Sequence, residues 1–249
     1  MNPTVVRPAG QIPAPRAAAD DGPASGPRPA GAASPAVAYQ RVLHQMVRRE
    51  LRLVAELAAW APPGEKHRIA ALTRHAELIG RVLLHHHTVE REAVWPALLR
   101  AAPAAREAVE GWTVRWMWID AMVRDVATAA RQWQVTGTSA AQTTCASACL
   151  VLADAVEGQT AEEERLLLPL LGRHLAAEEW AAIAASSHLR LSGPEQLLVL
   201  GLTLEDCCPD DRARLLAGLP WSVRTAWRVY GARHYRAAVV RLRGAPPAG

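Results

Sequence analysis

One phrase occurs twice in this chain. "HHHTVEREAVWPALLR", His85 to Arg100, returns as "GQTAEEERLLLPLLGR", Gly158 to Arg173, so Glu90 and Pro96 recur as Glu163 and Pro169, both 73 places on. A repeat at that separation, inside segments whose apolar residues follow a helical period, constrains the chain to two helical hairpins of common design related by a pseudo-twofold. The histidines do not recur. At the same offset His86 falls on Gln159, and His44 falls at or beside Trp116.

Four long helical segments carry the repeat. The first spans about Ala36 to Trp60 and stops before Pro62-Pro63-Gly64, and the second runs from near Glu65 to about Ala101 with Pro96 inside it. The third covers roughly Pro103 to Gln134; after "TGTS", Thr138 or Ser139 caps a fourth that reaches about Leu175. Short connections between long helices make neighbours antiparallel, which predicts an all-α, up-down-up-down four-helix bundle over residues 36–176. Residues 177–244 read as an added C-terminal segment of a short helix and three further ones, and residues 1–35 as a disordered tail holding eight of the 18 prolines.

Periodicity selects the polar residues that face inward. On the first helix His44 belongs to the stripe Val47, Leu51, Val54, Ala58. On the second, His86 and Glu90 stand one turn apart within Ile79, Val82, Leu83, Ala93 and Ala97. On the fourth, Leu152, Val156, Gln159, Leu166 and Leu170 select Glu163 from the run "EEE". On the third, Val109, Trp112, Trp116, Ile119 and Val123 are internal, with Asp120 at the edge. Buried carboxylates are costly unless compensated. A bound cation is one compensation, since imidazole and carboxylate suit first-row metals. Pairing with Arg81 or Arg165, or burial of the stems alone, is another. His87, three residues before Glu90, is the alternative ligand, and His85 and His87 otherwise flank the stripe.

"HQMVRREL" from His44, "HHHTVEREAVWPAL" and "AEEERLLLPLL" together resemble the hemerythrin-like proteins with HHE cation-binding domains, over about residues 38 to 175. The segment from Leu191 onward is similar to the helical extension of many actinobacterial members. The resemblance implies a bundle holding non-haem iron, usually two ions bridged by carboxylates and able to bind dioxygen. It places the first-helix ligand at His44, the second-helix pair at His86 and Glu90, and the fourth-helix carboxylate at Glu163. Two histidine positions depart from the pattern: Trp116 stands at one and Gln159 at the other, while an alternative third-helix position holds Asp120. His44, His86 and Glu90 retain the two-histidine, one-carboxylate set of mononuclear Fe(II) centres, with Glu163 or Asp120 as a fourth donor. One ion is therefore expected rather than two, or none if the site is degenerate.

The expected function is binding or sensing of iron, dioxygen or another small molecule, or iron-dependent oxidation by a non-haem oxidoreductase. The alternatives are a metal-free interaction module and a bundle recruiting haem through His85, His86 or His87. Neither a nucleophile–base constellation nor a Gly-rich phosphate loop is present to support other chemistry.

A net charge of +4, with Lys66 the only lysine, does not argue for nucleic acid. No apolar run is expected to cross a bilayer, no signal-peptide core follows Arg7, and the location expected is cytoplasmic. Cys145, Cys149, Cys207 and Cys208 read as buried small residues, and Trp95, Trp112, Trp116, Trp118 and Trp133 as packing. Pro96 and Pro169 should each bend their helix just past the site. The C-terminal helix interleaves arginines from Arg224 to Arg243 with Trp227, Tyr230, Tyr235 and Val239, and reads as a solvated basic face docked on the bundle by its aromatics.

Overall fold

The computed structural model describes residues 34–62 and 64–244. The expected disorder of the N-terminal tail lies outside these residues. The expected elements are present: α1 (Pro35–Trp60), α2 (Lys66–Val89) running through a π-helical turn (Glu90–Val94) into α3 (Trp95–Ala101), α4 (Arg106–Thr136), and α5 (Ser139–Leu166) followed by α6 (Leu168–His174). Helix α1 packs on α5 and α2, and α4 packs on the same two, which closes the four-helix bundle. The extension comprises α7 (Ala177–Ser186), α8 (Gly193–Glu205), α9 (Pro209–Gly218) and α10 (Trp221–Ala226), then a second π-helical turn (Trp227–Gly231) and α11 (Ala232–Arg243). There is no strand among the described residues.

Local signals set the boundaries. Gly137 ends α4 at φ 63°, a left-handed conformation that costs glycine least, and its N–H returns to Trp133 O at 2.8 Å. Thr138 then caps α5, its hydroxyl accepting from Ala141 N–H at 3.3 Å. The regular α-helix is interrupted ahead of both repeated prolines, in a different way at each. Ahead of Pro96 the chain inserts the π turn, with Trp95 N–H bonded back to Glu90 O; ahead of Pro169 it breaks at Leu167.

The inward stripes change at each interruption. From the end of the π turn, Val94, Trp95, Ala97 and Leu98 are buried, whereas Ala93 within it is only partly so. At and past the break, Leu167, Leu168 and Leu171 are buried while Leu170 is half-buried, and Leu166 just before it is exposed, correcting the stripe drawn through Leu166 and Leu170. Trp118 is 60% exposed, so it is not a packing residue like the other four tryptophans. Cys145 and Cys149 are buried, but Cys208 is exposed and Cys207 half-buried.

The core is divided. One apolar cluster runs from Leu43, Leu83, Ile119 and Val156 toward the α1–α2 turn and includes side chains of α8 and α11. The other gathers Ala36, Val94, Trp95, Trp112, Trp116, Leu167 and Leu171 at the opposite end. Between them, at one level of the bundle, lie His44, His86, Glu90, Gln159 and Glu163.

The extension docks through both apolar and ionic contacts. Trp227, Tyr235, Val239 and Leu242 join the first cluster, as the aromatic-docked reading of the basic helix expected, whereas Tyr230 is exposed and takes no part. Arginine also enters that interface. Arg243 donates to Glu50 Oε1 at 2.7 Å and to Glu205 Oε2 at 2.9 Å; Arg49 donates to Glu50 Oε1 at 2.8 Å; His75 Nε2 stands 2.7 Å from Glu50 Oε2. Tyr235 O–H donates to Glu205 Oε2 at 2.7 Å. Glu50 is wholly buried. Burial alone would raise its carboxyl, but His75, Arg49 and Arg243 outweigh it and hold the group at about 2.

Gly201 on α8 lets Tyr235 of α11 lie directly on the helix backbone: a β-carbon there would fall inside the ring. Gly201→Ala gains helix propensity but overpacks a rigid contact, and a net loss of about 1–3 kcal/mol is expected, read as a lower urea midpoint. An unchanged midpoint would show that α11 can shift without cost.

Candidate metal centre

His44 leads the site from α1. It is 1% exposed, and its Nε2 lies 3.3 Å from His86 Nε2. One turn beyond His86, Glu90 opens the π turn, with its Oε1 3.4 Å from His86 Nε2. These three residues offer ligand atoms that all lie within 4.8 Å of one another. From α5, Glu163 brings Oε1 to 3.8 Å from His44 Nε2. Four of the five expected residues are thus assembled from three helices.

Asp120 is placed differently. Its Oδ1 lies 2.7 Å from His87 Nδ1, and its Oδ2 3.4 Å from Arg91 Nη1. His87, the alternative ligand, is thereby turned toward Asp120, and its ring stacks on Trp116, which stacks in turn on Trp95, with centroids 5.4 and 5.5 Å apart. The place of a third-helix imidazole is filled by a fully buried indole inside an aromatic stack. Gln159 is buried one turn before Glu163, and its Nε2 has no hydrogen-bond partner among the described residues.

Arginine does not neutralise this layer. Arg81 pairs with Glu195 on α8 instead, and Arg165 forms no ion pair among the described residues. Glu90 receives one hydrogen bond, from Gln40 Nε2 to Oε1 at 2.9 Å, while Glu90 Oε2 and Glu163 Oε1 are buried with none. Burial, then the adjacent Glu163, push the Glu90 carboxyl well above the usual carboxylate range. Burial, then the His44, His87 and His85 rings, push His86 well below the usual imidazole value. Two carboxylate oxygens without a hydrogen-bond partner thus stand beside two facing imidazoles, with no arginine or lysine paired to either carboxylate among the described residues.

The spacing suits one cation. Two ligands each about 2.0–2.1 Å from a shared ion at the tetrahedral angle stand about 3.3 Å apart. The His44–His86 and His86–Glu90 separations match that distance. Glu90 is the first residue of the π turn, an interruption frequent at functional sites.

Several partners of the site were not picked out by the sequence stripes. Gln40 lies one turn before His44, and extending the first stripe by four residues reaches it. His75, which pairs with Glu50 in the extension interface and not with the site, extends the second stripe backward through Ile79 and Val82. Glu164, 3.1 Å from His44 Nδ1, lies beside the stripe and had no such signal.

An antiparallel helical bundle with a buried histidine–carboxylate layer defines a class of metal-binding four-helix proteins. The profile of one such family, the hemerythrin HHE cation binding domain, matches residues 36–171, more than half of the chain. The chain belongs to that family. Comparison with curated proteins and with solved structures returns no significant match.

One helical run, Ser139–His174, is long and apolar enough to cross a membrane, which corrects the expectation that none is. It contributes Glu163 to the site and packs on α1 and α4 as the bundle's fourth helix, so length and composition alone do not make it a membrane span.

Proposed function

We propose that the chain holds a single non-haem iron ion on His44, His86 and Glu90, with Glu163 as the fourth donor, and uses it to bind dioxygen or another small molecule. The observation that carries this reading is the pair of buried, unpartnered carboxylate oxygens beside two facing imidazole nitrogens. A two-histidine, one-carboxylate set leaves coordination positions open, and an ion in such a site supplies Lewis acidity and one-electron chemistry when bound. The chain's own part is to orient the imidazoles, keep Glu90 within reach and exclude water with the apolar clusters on either side. Trp116 and Gln159 oppose a second ion: an indole N–H is a donor only, and an amide is a weak ligand.

Metal analysis of untagged protein is expected to give about one iron per chain, falling at least tenfold in His86→Ala. Two ions per chain would overturn the single-ion reading. Equal, negligible metal in both proteins would overturn the metal reading altogether. An absorption spectrum of the purified chain discriminates further, since a Soret band would report haem in place of a non-haem ion.

A further inference from the structure

Glu164 is the carboxylate that the helical period turns away from the core, yet it touches the site. Its Oε1 lies 3.1 Å from His44 Nδ1 and accepts from Arg48 Nη2 at 2.9 Å. Arg48 stands one turn after His44 on α1, so the imidazole and its anchor share a face while the carboxylate arrives from α5. An ionised carboxylate has no proton to give, so the ring nitrogen facing it must carry the hydrogen. A neutral His44 ring so held carries its one hydrogen on Nδ1, which leaves Nε2, the nitrogen facing His86 Nε2 and Glu163, as the ligating atom.

We infer that Glu164, held by Arg48, is a positioning residue that fixes the tautomer and ring orientation of His44, delivering Nε2 as a ready ligand. This rests on the proposed metal site for its purpose, although the tautomer itself is a property of the metal-free protein. The arrangement follows a general rule for ligating histidines, whose second nitrogen is oriented by a carboxylate or carbonyl, with 10–100-fold losses in affinity when that partner is removed. His86 has no carboxylate on its other nitrogen among the described residues, so the orientation is supplied on the His44 side.

Two measurements on the full-length chain test it. Ring ¹⁵N NMR of the metal-free protein, with His44 assigned by its absence from His44→Gln, should report the Nδ1–H tautomer in wild type. The same spectrum should report a mixture or the Nε2–H form in Glu164→Ala. Titration with Co(II), a probe that absorbs when bound to nitrogen and oxygen ligands, should give a dissociation constant about 10–100-fold weaker in Glu164→Ala. Glu164→Gln, whose amide oxygen still accepts, should recover most of that loss. An unchanged His44 tautomer in Glu164→Ala, or affinities within twofold of wild type, overturns the assignment. If wild type takes up neither Co(II) nor Fe(II), the metal reading fails by itself, and the tautomer measurement still decides what Glu164 does.

Discussion

Glu50→Ala is expected to lower the unfolding free energy by roughly 3–5 kcal/mol, the range for removing one member of a buried ionic cluster. The carboxylate joins His75 of α2, Arg49 of α1 and Arg243 of α11, and without it both guanidinium groups and the His75 ring lose a buried acceptor. A neighbouring surface pair supplies the control. Arg52 and Glu157 are both well exposed, and Glu157→Ala should leave the urea midpoint in place.

The sign of the pH dependence follows from the depressed carboxyl. A folded value of about 2 against an ordinary 4.5 means that the stabilisation is fully present above pH 4.5. It is lost as pH falls from there toward 2. Wild type should therefore lose stability across that window, and Glu50→Ala should lose less. A Glu50→Ala midpoint within 1 kcal/mol of wild type at neutral pH would sink the claim that this cluster holds the extension on the bundle.

Glu90→Gln is expected to change stability in opposite directions with and without metal. In the metal-free chain, burial and Glu163 raise the Glu90 carboxyl, so the folded state holds a proton that the unfolded state releases above pH 4.5. Stability from this group is greatest below that pH and falls as pH rises toward the folded value, by up to about 1.4 kcal/mol per pH unit. Glutamine carries no such proton. Metal-free Glu90→Gln should then exceed wild type in stability at pH 8 and lose that advantage at pH 4.5.

Saturating Fe(II) should reverse the order at pH 8. A ligand at 100 times its dissociation constant adds about 2.7 kcal/mol, which the variant, lacking the carboxylate, should not gain. Urea midpoints at the two pH values, with and without anaerobic Fe(II), give all four results. A wild-type midpoint indifferent to iron would defeat the metal reading. A metal-free variant no more stable than wild type at pH 8 would show that the carboxyl is not strained by its burial.

Much of this was legible before any coordinates. The stripe through His44, Val47, Leu51 and Val54 placed an imidazole in an apolar face, and the structure buries it there. His86, Glu90 and Glu163 followed in the same way, because a helix of constant pitch converts sequence spacing directly into direction. The same argument failed where the pitch changed. The π turn from Glu90 and the break at Leu167 interrupt that pitch, so Ala93 and Leu170 do not point where a uniform period put them, and Leu166, the residue before the break, is exposed as well. The prolines announced a disturbance without saying which form it takes, since a lost hydrogen bond can be absorbed by a π insertion or by a turn.

The sequence by itself determined four amphipathic helices, their antiparallel order and, where the pitch stays constant, the side chains each turns inward. These depend on local period, capping and loop length, all of which act within a few residues. Only the tertiary structure decided which inward groups meet. His44 and His86 are 42 residues apart and Glu164 arrives 120 residues after His44, and no local rule links them. It also decided that Asp120 pairs with His87, and that Arg243, one of many arginines on a helix read as solvated, reaches Glu50 from the extension. Such partners are chosen by packing, which sets the few ångströms over which a buried charge finds compensation or is left without it.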